Sequence, residues 1–127
     1  MNRPEDSLHH AVVQLLKLTA AAGVIYYHPA NEGTKSAIRG ARLKRKGVLA
    51  GVADLALILP GGRAAFLELK APKTGRLNEN QKAFREACEA TGAPYAVATT
   101  LDEAQAVLAS WGALAGKQTG FREVPFQ

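Results

Sequence analysis

One cysteine, Cys88, is all that this 127-residue chain contains. A lone thiol closes no internal disulfide and builds no Cys-rich zinc site, so a reducing interior, the cytoplasm, is the expected setting. Long apolar runs are missing as well. The longest, Leu18 to Tyr27, has about half the length that spans a bilayer, so no membrane partner is expected. The opening residues Met1-Asn2-Arg3-Pro4-Glu5-Asp6 lack the basic-then-apolar layout of a signal peptide. The eight aromatics are scattered and form no base-stacking platform. His9, His10 and His28 do not have the spacing of zinc ligands and read as surface or core residues. Gly116-Lys117-Gln118-Thr119 lacks the spacing of a phosphate loop and follows an expected helix, so it is set aside. There is no internal repeat and no low-complexity segment.

What the chain does have is an apolar fraction of 47% with both charge signs interspersed, the composition of one folded domain. Its charge is local. Sixteen basic and eleven acidic residues give +5. Lys35, Arg39, Arg42, Lys44, Arg45 and Lys46 fall in one stretch without an acid, and removing those six leaves the remainder at −1. A phosphate backbone attracts such a run through counterion release, although a solvated basic loop has the same composition.

Residues 5 to 22 read as a helix, with Leu8, Val12, Leu15, Leu16 and Thr19 at helical spacing and Gly23 as its stop. Val24 to Tyr27 is a short strand. Residues 28 to 50, rich in Gly and basic residues, read as a long loop with room for a helical turn. Asp54 to Leu59 and Ala64 to Lys70 form a β-hairpin around Pro60-Gly61-Gly62-Arg63. Asn78 caps a helix running to Thr91, which carries Phe84, Cys88 and Thr91 on one face and stops at Gly92. Tyr95 to Thr99 is a further strand. Thr100-x-x-Glu103 is a capping box opening a last helix that turns Val107, Leu108 and Trp111 inward. This order predicts a mixed α/β domain, a central sheet flanked by helices.

The chemistry concentrates in Glu68-Leu69-Lys70. Alternation along a strand puts Glu68 and Lys70 on one face and Leu67 and Leu69 on the other. Alone, such a pair is commonly a solvent-facing ion pair. Asp54 changes the weighting. A three-residue loop Gly61-Gly62-Arg63 would set Asp54 opposite Lys70 and diagonal to Glu68, whereas a two-residue loop would turn Asp54 to the other face. Two carboxylates on one face repel unless a cation joins them, and hard oxygen ligands suit Mg²⁺ or Mn²⁺.

The order Gly47-x3-Gly51-x2-Asp54, thirteen residues, Glu68-x-Lys70, then Gln81 in a following helix, resembles the VRR-NUC family. That family is the virus-type replication-repair nuclease branch of the PD-(D/E)xK superfamily. Similarity extends from Glu5 to about Leu108 and includes Asn31-Glu32-Gly33 and Asn78-x-x-Gln81. One departure is that His9 and His10 stand where related chains often carry Gln.

The resemblance implies a single restriction-endonuclease-like domain over residues 1–127, with its core over about 5–115 and a tail at 116–127. It implies metal ligation by Asp54, Glu68 and the Leu69 carbonyl, with Glu5 completing the shell. Lys70 would position or activate the attacking water and stabilise developing phosphate charge, and Gln81 would touch the lysine or the substrate. Each outer residue also has a structural use: Glu5 favours a helix N-terminus, and Gln81 completes a capping box with Asn78. The implied activity is metal-dependent DNA cleavage selective for structure, in a bacterial or phage-infected cell. A homodimeric resolvase of four-way (Holliday) junctions is the leading form, with a flap or nicking nuclease or a non-catalytic nucleic-acid-binding module as alternatives. The basic stretch from Lys35 to Lys46 would grip the DNA backbone without reading sequence.

Overall fold

The geometry of the site is set by the hairpin, and the hairpin by its turn. The computed structural model describes residues 4–29 and 37–115, with the backbone alone for 37–39. Strand β2 (Leu55–Ile58) pairs antiparallel with β3 (Ala64–Leu69), Leu55 opposite Leu67 and Ile58 opposite Ala64. The Leu59 amide donates to the Arg63 carbonyl at 2.7 Å, so the three-residue loop is Pro60-Gly61-Gly62. The loop expected from sequence is Gly61-Gly62-Arg63. The Leu59–Arg63 bond draws it back by one residue, which shifts the strand register by two and preserves every facing.

β1 (Ile25–Tyr27) pairs antiparallel with β2, and β4 (Tyr95–Ala98) pairs parallel with β3. The result is a mixed four-stranded sheet in the order β1-β2-β3-β4. One face carries Leu55, Leu57, Ala65, Leu67, Leu69 and Ala98. It packs beneath α1 (Pro4–Thr19) and α4 (Leu101–Ser110) through Val12, Leu16, Ala104 and Leu108, all buried. Their removal from water is the main stabilising contribution, about 1.5–3 kcal/mol for each large side chain. On the other face lies α3 (Glu79–Thr91). Its Phe84 meets Phe66 of β3 edge-on, ring centroids 4.9 Å apart, and reaches Tyr95 of β4 at 6.1 Å. Among the described residues no helix is long and apolar enough to cross a membrane.

Three local expectations are corrected. α1 ends at Thr19, short of Ala22, because Ala20 pairs with Leu114 and the Ala115 amide donates to the Thr19 carbonyl. These partners are far along the chain and leave no local signal. The segment expected as a loop contains α2 (Ala37–Arg45). Its Ala, Arg, Leu and Lys residues favour a helix despite Gly40, and its basic last turn complements the helix dipole. Gly47, at φ +96, ends it, with the Gly47 amide on the Lys44 carbonyl and the Val48 amide on that of Leu43. In α4 the Thr100 hydroxyl accepts from the Glu103 amide as expected. The Glu103 carboxylate, however, returns to the amide and hydroxyl of Thr99, one residue further back. α3 has the expected bounds, capped by Asn78 and stopped at Gly92.

The loop between α2 and β2 lies against the start of α3. Gly51, at φ +87, approaches so closely that a β-carbon there would sit 2.3 Å from the Asn80 carbonyl oxygen. Gly61, at φ +90, has nothing within 4 Å of that position. Gly61→Ala is therefore expected to suffer only the left-handed backbone penalty, about 1–2 kcal/mol. Gly51→Ala should be destabilised by at least about twice as much. Thermal melts of the two variants check this, and equal destabilisation would contradict the close approach.

Candidate active site

Alternation along β3 turns Glu68 and Lys70 towards α3, away from the leucine core. Carrying the β2–β3 ladder one residue past Leu55 sets Asp54 directly across from Glu68, not across from Lys70 as the other loop position would have it. The Leu69 amide donates to Oδ2 of Asp54 at 2.8 Å, fixing the direction of that carboxylate. Glu68 is 2% exposed, the one charged side chain buried among the described residues. Its Oε2 accepts from Nε2 of Gln81 at 3.0 Å and lies 3.7 Å from Nζ of Lys70. Its Oε1 is buried without a hydrogen-bond partner among the described residues.

These surroundings explain the protonation of Glu68. Burial penalises its charged form, and the facing Asp54 carboxylate adds repulsion. Lys70 opposes both but only in part, and the Glu68 carboxyl is pushed up to about 8. Behind it, burial and then the proximity of Glu68 push the Tyr95 phenol up to about 12.

Gln81 does two things at once. Its backbone amide and side-chain oxygen form both halves of the capping box with Asn78, while its side-chain nitrogen holds Glu68. The cap and the site, separate readings in the sequence, are one arrangement here. Glu5, in the first turn of α1, comes to the far end of β3, where its Oε2 accepts from the Ala71 amide at 3.3 Å. Among the described residues no three His, Cys, Asp or Glu side chains cluster as a ready-made metal cage. The site is a two-carboxylate one with Glu5 close along the strand.

The basic stretch is divided. Lys35 lies outside the described residues, as do Asn31-Glu32-Gly33, the tail from 116 to 127 and the side chain of Arg39. Arg42, Lys44 and Arg45 on α2, and Lys46 just beyond it, reach solvent. A cleft of about 530 Å³ separates α2 from the start of α3, and Lys44, Asp54, Asn80 and Gln81 all line it. α2 thus brings a cation to the same cleft as the Asp54 carboxylate and the Gln81 that holds Glu68.

No local pattern in the chain marks the histidines as part of this site. His28, just after β1, places Nδ1 2.6 Å from the Asp54 carbonyl oxygen and lines the cleft. His9 of α1 meets its ring edge-on at 4.9 Å. Burial, and then the His28 ring, hold the His9 imidazole below its ordinary value. The pairs are 19 and 26 residues apart in sequence, beyond any local spacing rule.

The family model of the VRR-NUC domain matches residues 5–101, most of the chain and every site residue named above. The chain belongs to the VRR-NUC family. That is a family of nucleases, and nuclease activity is what membership implies. Two solved structures are similar in fold. A VRR_NUC domain protein superposes with a TM-score of 0.69 at 21% identity, covering 87% of this chain and 89% of that one. A VRR_NUC domain superposes with a TM-score of 0.60 at 16% identity, covering 87% of this chain and 99% of that one. A search among curated proteins found no match.

In this VRR-NUC domain the raised Glu68 carboxyl destabilises the metal-free fold in a definite pH window. The folded group titrates at about 8 and the free side chain at 4.5, so the folded state holds the extra proton between those values. Stability should therefore fall as pH rises from about 4.5 to 8 and then level off. Glu68→Gln removes the charge and keeps the shape. It should raise the Tm of metal-free protein by about 4 °C or more at pH 8, and by less at pH 5. Calorimetry in EDTA at both pH values checks this. A lower Tm at pH 8 would mean that Glu68 is not under the repulsion described.

Proposed function

We propose that this VRR-NUC domain is a structure-selective DNA endonuclease dependent on Mg²⁺ or Mn²⁺. The observation that carries the proposal is the buried Oε1 of Glu68, which has no hydrogen-bond partner among the described residues and is held across from a second carboxylate. A hard divalent cation fits such a donor set, because it would satisfy the orphaned oxygen and relieve the repulsion together. Asp54, Glu68 and the Leu69 carbonyl would hold it, with Glu5 reaching the same strand end. When bound, the cation supplies charge that draws in phosphate oxygens and acidifies water.

The chain's own residues do the rest. The Leu69 amide and the Gln81 side chain keep the two carboxylates pointed. Lys70 sets a positive charge and hydrogen-bond donors beside Glu68, where negative charge builds up on the phosphate being cleaved. Lys44 lines the cleft, and Arg42, Arg45 and, just beyond α2, Lys46 extend the cationic surface. Contacts of this kind locate a backbone without reading bases, which favours recognition of DNA shape. A four-way junction cut by a homodimer is the substrate and assembly to test first. A non-catalytic binding module leaves two acids facing phosphates unexplained.

Labelled four-way junction, flap and linear duplex should be incubated with Mg²⁺, Mn²⁺ or EDTA. Cleavage is expected with either metal and not with EDTA. Asp54→Asn should abolish it, and Lys70→Ala should reduce kcat by about 10²-fold or more while DNA binding persists. Replacing Arg42, Lys44, Arg45 and Lys46 with Ala should flatten the salt dependence of binding by roughly 0.9 for each phosphate no longer neutralised. Light scattering with junction DNA reports the assembly, and a strict monomer would remove the junction-dimer form. Binding without cutting in either metal would overturn the nuclease assignment.

A further inference from the structure

We infer that His28 is a positioning residue that holds Asp54 in place, an inference that rests on the nuclease reading above. Alternate residues of a strand turn their backbone groups to opposite neighbours. Leu59 bonds Arg63 on the β3 side, so Leu57 and Leu55 also face β3, while Ile58, Ala56 and Asp54 turn theirs to β1. Tyr27 pairs with Ala56, and carrying that register onward places Pro29 across from Asp54. Proline has no N–H to give. At this point the ladder loses its backbone donor, and the His28 imidazole supplies one instead, Nδ1 lying 2.6 Å from the Asp54 carbonyl oxygen.

A carbonyl oxygen only accepts. Nδ1 therefore carries the hydrogen, which selects one tautomer of the neutral ring. The edge-on contact with His9 limits rotation of that ring. Asp54 is thus anchored twice, its carboxylate by the Leu69 amide and its backbone by His28. The carboxylate can be no better placed than the backbone that bears it. Partners of this outer kind typically change metal affinity or turnover by about 10–100-fold when removed.

The test compares His28→Leu, His28→Asn and His28→Gln. Asn places an amide nitrogen at the same bond distance from Cβ as Nδ1, Gln moves it one bond further, and Leu has no donor. Mn²⁺ binding is read by electron paramagnetic resonance on DNA-free protein, alongside kcat, KM for DNA, and Tm. His28→Leu and His28→Gln are expected to weaken Mn²⁺ binding and lower kcat by about tenfold or more. KM should stay within about twofold, and Tm within about 2 °C, as for an exposed side chain. His28→Asn should return both affected quantities to within about threefold of wild type. An unchanged Mn²⁺ affinity in His28→Leu, or an Asn variant as impaired as the Leu one, overturns the inference while leaving a cutting wild type a nuclease. A wild type that neither binds Mn²⁺ nor cuts overturns the nuclease reading and this one with it.

Discussion

Asp54 and Glu68 stand across from each other on adjacent strands, and their mutual repulsion is the constraint around which the rest is arranged. Side chains opposite one another in an antiparallel pair have β-carbons only about 5 Å apart. Water would screen two charges at that range, but Glu68 is almost wholly out of water. The surrounding groups are placed accordingly. An amide fixes Asp54, an ammonium and a carboxamide flank one oxygen of Glu68, and the other oxygen is left without a partner among the described residues. A fold selected for stability alone would put an apolar residue at Glu68. Retaining an acid there is the pattern of a site whose function conflicts with its stability.

The arrangement relies on α3 being docked at a fixed height above the sheet. Phe84 meets Phe66 and Tyr95 below the helix, and one turn earlier Gln81 reaches Glu68. The same glutamine closes the cap of the helix that carries it. Loosening the cap and misplacing the carboxylate are therefore one event, and Gly51 pressed against Asn80 ties the loop after α2 to that helix start as well. Cleft wall, helix cap and carboxylates are mechanically continuous.

Legibility from sequence follows the range of the interactions. The bounds of α3 are readable because Asn78, Gln81 and Gly92 signal within a few residues of where they act. The shared face of Glu68 and Lys70 is readable from strand alternation alone. The hairpin is evident, but the loop position is not, since Pro60-Gly61-Gly62 and Gly61-Gly62-Arg63 are both acceptable turns and a bond across the turn decides between them. α2 is hidden by Gly40 and by the density of basic residues. Glu5 meets Ala71 just past β3, His28 meets Asp54 and His9 meets His28, all across distances in the chain that no periodicity bridges, and only a family pattern points to the first of them.

The Pro60-Gly61-Gly62 turn sits at the opposite end of the hairpin from the carboxylates, yet the pair that closes it decides which layer receives Asp54. Closure at Leu59 and Arg63 gives Asp54 to the Glu68 side. The same sequence closed around a two-residue loop would turn Asp54 into the leucine layer. Residues added at the exposed tip only lengthen the loop and leave that closing pair in place. The tip is thus free to vary in length, and the restriction falls on the two residues at its base.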